Sequence, residues 1–232
     1  MKTIPFLTDF LHLFFPNVCI ACHENHPVEN QFLCVGCNFR LPRTDFHFHE
    51  ENPFTERFWG RFPMVHGASM LYFKKRGLSR TLISNLKYKG QKEIGNRLGE
   101  TYGRTLKASP YFKNIDAIIP VPLHYKKEQK RGYNQSAAFG EGLSAGMEIP
   151  QWLDVLKRKK HSETQTRKGT IERLQNVETI FELIKPEKIT GKHLLLVDDV
   201  LTTGATLEAC ALELLKVEGV KISMATIAIA VK

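Results

Sequence analysis

Beyond about residue 60, this chain alternates two apolar rhythms. Short runs suited to strands fall at Ala68 to Phe73, Ile115 to Val121, Trp152 to Leu156, Thr179 to Ile184, Leu194 to Val200 and Val220 to Val231. Between them lie stretches with helical spacing at Leu78 to Tyr88, Glu93 to Leu106, Asn134 to Ala145 and Thr206 to Val217. The run Leu194 to Val200 is apolar at consecutive positions, which is the pattern of a strand covered on both faces. Strand and helix in alternation predict an α/β fold: a mostly parallel sheet flanked by helices. The segment His124 to Arg131 is basic and without apolar period, and reads as a loop; Ser162 to Asn176 is polar and reads as loop with a short helix.

The first sixty residues follow another logic. Ile4, Leu7, Leu11 and Phe15 share one face of an amphipathic helix. Residues 43 to 63 are rich in Phe and His, carry little periodicity, and have Pro42, Pro53 and Pro63 in or beside them. A boundary near residue 60 follows, with a small N-terminal module at 1–60 and the α/β domain at 61–232. Asp9 and His12 interrupt the apolar start, which argues against a signal peptide, and Val18 is not the small residue expected before a lipidated Cys19. No apolar run approaches the roughly 20 residues that span a bilayer, so no membrane insertion is expected. The cytoplasm is the expected compartment, and Asn134-Gln135-Ser136 is then a chance glycosylation sequon.

Composition changes this picture in two places. The first is charge: 33 Lys and Arg against 24 Asp and Glu give +9, compatible with a polyanionic partner and equally with a solvated surface. The second is cysteine, with four of five among the first forty residues. Cys19-x-x-Cys22 and Cys34-x-x-Cys37 have the paired spacing that sets four thiolates around one Zn²⁺. Four thiolates leave no open coordination position, so this zinc is expected to be structural, replacing a core that forty residues cannot build. Disulfides are the competing pairing; a cytosolic chain with two close pairs speaks against them. Cys210 falls in the apolar pattern of the last helix, beside Leu207, Ala211 and Leu214, and reads as a buried small hydrophobe.

The most informative segment is Val197-Asp198-Asp199-Val200-Leu201-Thr202-Thr203-Gly204-Ala205-Thr206. A buried strand ends on two adjacent carboxylates, and ligands of open α/β sheets bind at such strand ends. A Thr-rich turn follows, with Gly204 permitting a tight bend and a helix start presenting backbone N–H groups to an anion. A bare phosphate site is poorly served by two carboxylates, which repel the anion. A vicinal diol is well served by them, so acidic pair plus phosphate turn specifies a ribose 5-phosphate. Mg²⁺, a hard cation that prefers oxygen, would bridge hydroxyls and a diphosphate and reach Asp198 and Asp199 through water.

The run Leu195 to Thr206 resembles the diphosphoribosyl-binding signature of type I phosphoribosyltransferases. Pro120-Val121-Pro122-Leu123-His124 and Arg131-Gly132-Tyr133-Asn134-Gln135-Ser136 resemble the ComF family in particular, as do the N-terminal cysteines and the segment holding Gln165, Thr166, Arg173 and Asn176. The resemblance covers nearly the whole chain. It implies a phosphoribosyltransferase-like core with Asp198 and Asp199 on the ribose hydroxyls and Thr202, Thr203, Gly204, Ala205 and Thr206 around the 5-phosphate. It further implies that Val121, Pro122 and Leu123 face the diphosphate, and it makes Lys87 and Lys89 candidates for diphosphate contact. Without it, Lys87-Tyr88-Lys89-Gly90 is explained as a cationic helix end with a glycine terminator.

Lys126, Lys127, Lys130 and Arg131 precede Gly132-Tyr133. They suit a loop closing over a diphosphate leaving group, a surface tracking a nucleic-acid backbone with Tyr133 as stacking platform, or a solvated loop. Three functions follow. By resemblance, the first is binding of phosphoribosyl diphosphate with Mg²⁺ and handling of single-stranded DNA in natural transformation, in the company of a DNA-uptake helicase or other competence proteins. The second is phosphoribosyl transfer to a nucleobase or amine, for which no general base can be named. The third is a regulatory sensor of the sugar phosphate.

Overall fold

Four parallel strands carry the molecule. The computed structural model describes residues 18–27, 32–159 and 180–231. The expected helix at Ile4 to Phe15, the segment Ser162 to Asn176 and the first residue of the expected strand at Thr179 lie outside them. The strands are β1 (His66–Tyr72), β2 (Ala117–Pro120), β3 (Leu156–Arg158), β4 (Phe181–Leu183), β5 (His193–Leu201) and β6 (Lys221–Ile229). One sheet has the order β1-β6-β5-β2, with every pairing parallel; β3 and β4 form a separate antiparallel pair.

The central position of β5 explains its sequence. Leu194, Leu195, Leu196 and Val197 are all fully buried, as continuous apolar runs are when both faces of a sheet are covered. The helices are α1 (Val35–Phe39), α2 (Leu78–Tyr88), α3 (Lys92–Ala108), α4 (Tyr125–Arg131), α5 (Gln135–Met147) and α6 (Ala205–Leu214). α5 packs on β2 and β5, and α6 on β5 and β4. α3 and α5 pack backbone to backbone through Gly99, Gly103, Gly142 and Gly146. A Cβ on Gly99 would come within 2.8 Å of the Leu143 nitrogen, and one on Gly103 within 2.9 Å of its carbonyl oxygen.

Two expectations are corrected. The segment Tyr125 to Arg131 is helix α4, not loop: the His124 side chain caps Lys126 N–H at 3.2 Å, and Gly132 closes the other end in the left-handed region. Its residues are good helix formers, and the missing apolar period reflects that none is buried. The run Trp152 to Leu156 is not one strand. Trp152 N–H donates to the Ile118 carbonyl beside β2, whereas Leu156 begins β3. Asp154, drawn outward by Lys185 and Lys188 at 2.5 and 2.8 Å, sits in the bend between them.

Residues 43–63 pack on this sheet despite their weak period. Tyr72 N–H donates to the Pro42 carbonyl and Thr44 N–H to that of Met70, at the outer edge of β1. The Asn52 amide ties the segment together by donating to the carbonyls of Phe46, His49 and Gly67, while Phe46, Phe54 and Phe58 are buried. The cysteine module touches the rest through Asn85 of α2, whose amide donates to the Ile20 carbonyl at 3.2 Å.

Candidate functional site

At the C-terminal end of β5 the two acidic residues are held by different elements. Asp198 Oδ1 accepts from the Ser136 hydroxyl at 2.7 Å and from Asp199 N–H at 2.8 Å. Ser136 lies in the first turn of α5, which Asn134 caps by accepting Ser136 N–H at 3.0 Å. Asp199 Oδ1 lies 3.0 Å from Lys87 Nζ, with both side chains mostly shielded from solvent. Burial first, and the negative Asp199 second, push the Asp198 carboxyl up to about 7; the Ser136 hydrogen bond opposes this. A hydroxyl donor or a cation placed beside Asp198 would bring its carboxyl back down.

The turn after β5 completes this end. Thr202, Thr203, Ala205 and Thr206 are exposed, and Gly204 adopts φ 88°. Asp198 and residues 200–207 line a small cavity of about 30 Å³, and the first N–H groups of α6, which have no intrahelical acceptor, lie at its edge. Beneath the turn lies a buttress that sequence reasoning missed. Arg57 donates to the carbonyl of Thr202 and, at 3.0 Å, to that of Ala230. A Cβ on Gly204 would stand 2.8 Å from the buried Phe58 ring. Arg61 pairs with Glu208 of α6 at 3.0 Å. These contacts span 145 to 173 positions of sequence, and the only trace of them was the density of Phe in a segment without period.

The neighbouring strand supplies the other wall. Pro120 pairs with Val197, so Val121, Pro122 and Leu123 leave the sheet one strand away from the acidic pair. Val121 is buried; its N–H donates to the Val197 carbonyl and its own carbonyl accepts from the Asn134 amide, both at 2.9 Å. Pro122 and Leu123 line a cleft of about 260 Å³ with Asn134, Leu153 and Arg158.

Of the cationic candidates, Lys87 is brought onto Asp199 itself. Lys89 caps the end of α2 and is exposed. Arg131 turns back on Gln135 Oε1 at 2.6 Å and over the Tyr88 ring at 5.5 Å. The alternative that made Tyr133 a stacking platform does not match its placement: its hydroxyl donates to the Leu86 carbonyl and its ring packs on the core. Cys210 is fully buried, as expected, and burial raises its thiol well above the usual value.

Cys19, Cys22, Cys34 and Cys37 converge with all four sulfurs within 4.8 Å of one another, and Cys22 Sγ is 3.9 Å from Cys34 Sγ. Four sulfurs about 2.3 Å from a tetrahedral Zn²⁺ stand roughly 3.8 Å apart, so the donor set fits that ion. The backbone N–H groups of Asn25 and Glu24 lower the Cys22 thiol to about 6, whereas burial raises Cys37 to about 12. Cys34 also caps α1, accepting Cys37 N–H at 3.4 Å.

The sequence matches the family description "Phosphoribosyl transferase domain" over residues 134–231, a span that holds Ser136, the acidic pair and the Thr-rich turn. Competence protein F of Haemophilus influenzae is 30% identical over 204 residues, covering 84% of this chain and 89% of that protein. Competence protein ComFC of Bacillus subtilis is 30% identical over 58% of this chain and 52% of its own length. DNA utilization protein YhgH of Escherichia coli K12 is 29% identical over 58% of this chain and 60% of its own length.

Proposed function

The chain belongs to the ComF family and carries a phosphoribosyl transferase domain, and from that premise we propose that it binds phosphoribosyl diphosphate with Mg²⁺ and handles single-stranded DNA in natural transformation. One observation carries the ligand: Ser136 and Lys87, from two different helices, each fix one carboxylate of the pair beside the Thr-rich turn. The diol would take the remaining oxygens of Asp198 and Asp199, and the 5-phosphate the hydroxyls and N–H groups of residues 202–206. Val121 to Leu123 would face the diphosphate, with Lys87, Lys89 and Arg131 near it. Ser136 and Lys87 engage Oδ1 of Asp198 and of Asp199, and the carboxylate pair would offer oxygen ligands to Mg²⁺, which when bound would screen the charge of the diphosphate. The names of the relatives, competence and DNA utilization, support the DNA part of the reading, as does the charge of +9.

Calorimetric titration with phosphoribosyl diphosphate, with and without Mg²⁺, tests it. Wild type should bind in a Mg²⁺-dependent manner and Asp198→Asn and Asp199→Asn should lose at least tenfold. Equal binding by both variants would remove the acidic pair from the site. A second reading, transfer of the phosphoribosyl group to a base or amine, is favoured by the 260 Å³ cleft beside Pro122 and Leu123, which is roomy enough for an acceptor ring. Diphosphate release with any member of a panel of bases and amines would establish it.

A further inference from the structure

Helix α4 has no buried residue, yet it is capped at both ends, and it follows directly on the turn at Val121 to Leu123. Core packing does not account for its sequence. Four of its seven residues are cationic and one is acidic. It begins with Tyr125, 40% exposed, which stacks on His124 at 4.8 Å and has Lys126 Nζ 5.9 Å from its ring centroid. It ends with Arg131, whose guanidinium lies 5.5 Å from the ring of Tyr88, itself 71% exposed. Two exposed aromatic rings, each accompanied by a cation, thus flank a basic helix whose length from Tyr125 to Arg131 is about 9 Å.

We propose that Tyr125 and Tyr88 are stacking platforms for two bases of a single-stranded nucleic acid whose phosphates run along Lys126, Lys130 and Arg131. The inference rests on the DNA part of the reading above and gives it a surface. Ring faces with adjacent cations suit unpaired bases, which offer a π-face irrespective of sequence; a duplex hides those faces. An acidic peptide is matched by the cations but not by the rings. Tyr88 follows Lys87 on α2, and Lys87 holds Asp199, so the platform and the sugar-phosphate site share one turn of helix. Each ligand should consequently alter the affinity of the other by the same factor.

The test is fluorescence anisotropy of a labelled oligothymidylate about twenty nucleotides long, titrated with the full chain. Tyr88→Ala/Tyr125→Ala should weaken binding at least tenfold, and Tyr88→Phe/Tyr125→Phe should restore it to within about threefold. Phosphoribosyl diphosphate binding and melting temperature of the alanine variant should stay near wild type, which separates a lost platform from a lost fold. A duplex of the same length and polyglutamate should compete weakly; an oligouridylate arm distinguishes DNA from RNA. Wild-type affinity in the alanine variant, or equal loss in the phenylalanine variant, overturns the platform while leaving the DNA reading intact. Failure of the wild type to bind oligothymidylate at low salt overturns both, and polyglutamate competing as well as oligothymidylate would turn the surface over to acidic peptides.

Discussion

The cysteine module and the end of β5 both gather charged or ionisable groups that repel one another, but they hold them by opposite means. Around Cys19, Cys22, Cys34 and Cys37 there is little chain to form a core, and the donors themselves come within 4.8 Å. As four thiolates they would repel one another, and a cation between them would turn that repulsion into attraction. At Asp198 and Asp199 the scaffold is a strand with four consecutive fully buried residues, and the repulsion is borne by a rigid sheet, one hydroxyl and one lysine. The first region has the donor set that a metal would hold together; the second is held by protein contacts alone. The lesson is that ligand removal should unfold one and leave the other standing.

The largest expected effect breaks the first side of that comparison. Chelation of Zn²⁺, or Cys34→Ser, should expose the chain around the four cysteines to proteolysis while the parallel sheet and its helices keep their circular dichroism and the proposed sugar-phosphate binding; apparent zinc affinities of such sites correspond to roughly 10–16 kcal/mol. Loss of the whole fold would show that the module is a keystone and not an appendage. Next, Phe58→Ala removes the ring under Gly204 and should cost about 3–5 kcal/mol in denaturant unfolding, the range for buried Phe truncation. Phosphate-turn binding should fall with it.

The pH dependence sharpens the second side. Asp198 titrates near 7 in the folded state, above the ordinary carboxyl value near 4, so the folded chain keeps this proton longer than the unfolded one. Its contribution to stability is full at acid pH and is lost as pH rises from about 4 through 7. Asp198→Asn, which preserves acceptance from Ser136 and Asp199, should therefore raise the melting temperature most at pH 8, less at pH 5 and hardly at all near pH 3, while ligand binding is lost throughout. The smallest effect is Lys87→Met, which leaves Asp199 unpaired: a destabilisation of about 1 kcal/mol, with a weaker salt dependence of ligand binding.

Which parts of this architecture can be read from sequence follows from how local their causes are. The buried run, the acidic pair and the Thr-rich turn are contiguous, and each residue type states its own requirement, so β5 and the start of α6 stand within a residue or two of expectation. The cysteine pairs are likewise local. α4 was unreadable as a helix because an exposed basic helix has no apolar period to betray it, only caps. Arg57 and Phe58 were unreadable because their partners, Thr202 and Gly204, are distant in sequence and the contact is decided by how residues 43–63 lie on the sheet. Ser136 was visible in the resemblance, but its bond to Asp198 required knowing that α5 packs over β5.

The glycine contact between α3 and α5 has a consequence for how variation in this chain should be interpreted. No side chain lies between those two backbones to absorb a change, so a methyl group added at Gly142 or Gly146 must displace a whole helix, and Ser136 rides at the end of that helix. A survey of natural or random substitutions read only by ligand contact would class these glycines as bystanders. In a screen for function they should instead score alongside the acidic pair, because a shift conveyed along α5 moves the hydroxyl that holds Asp198 Oδ1 in place.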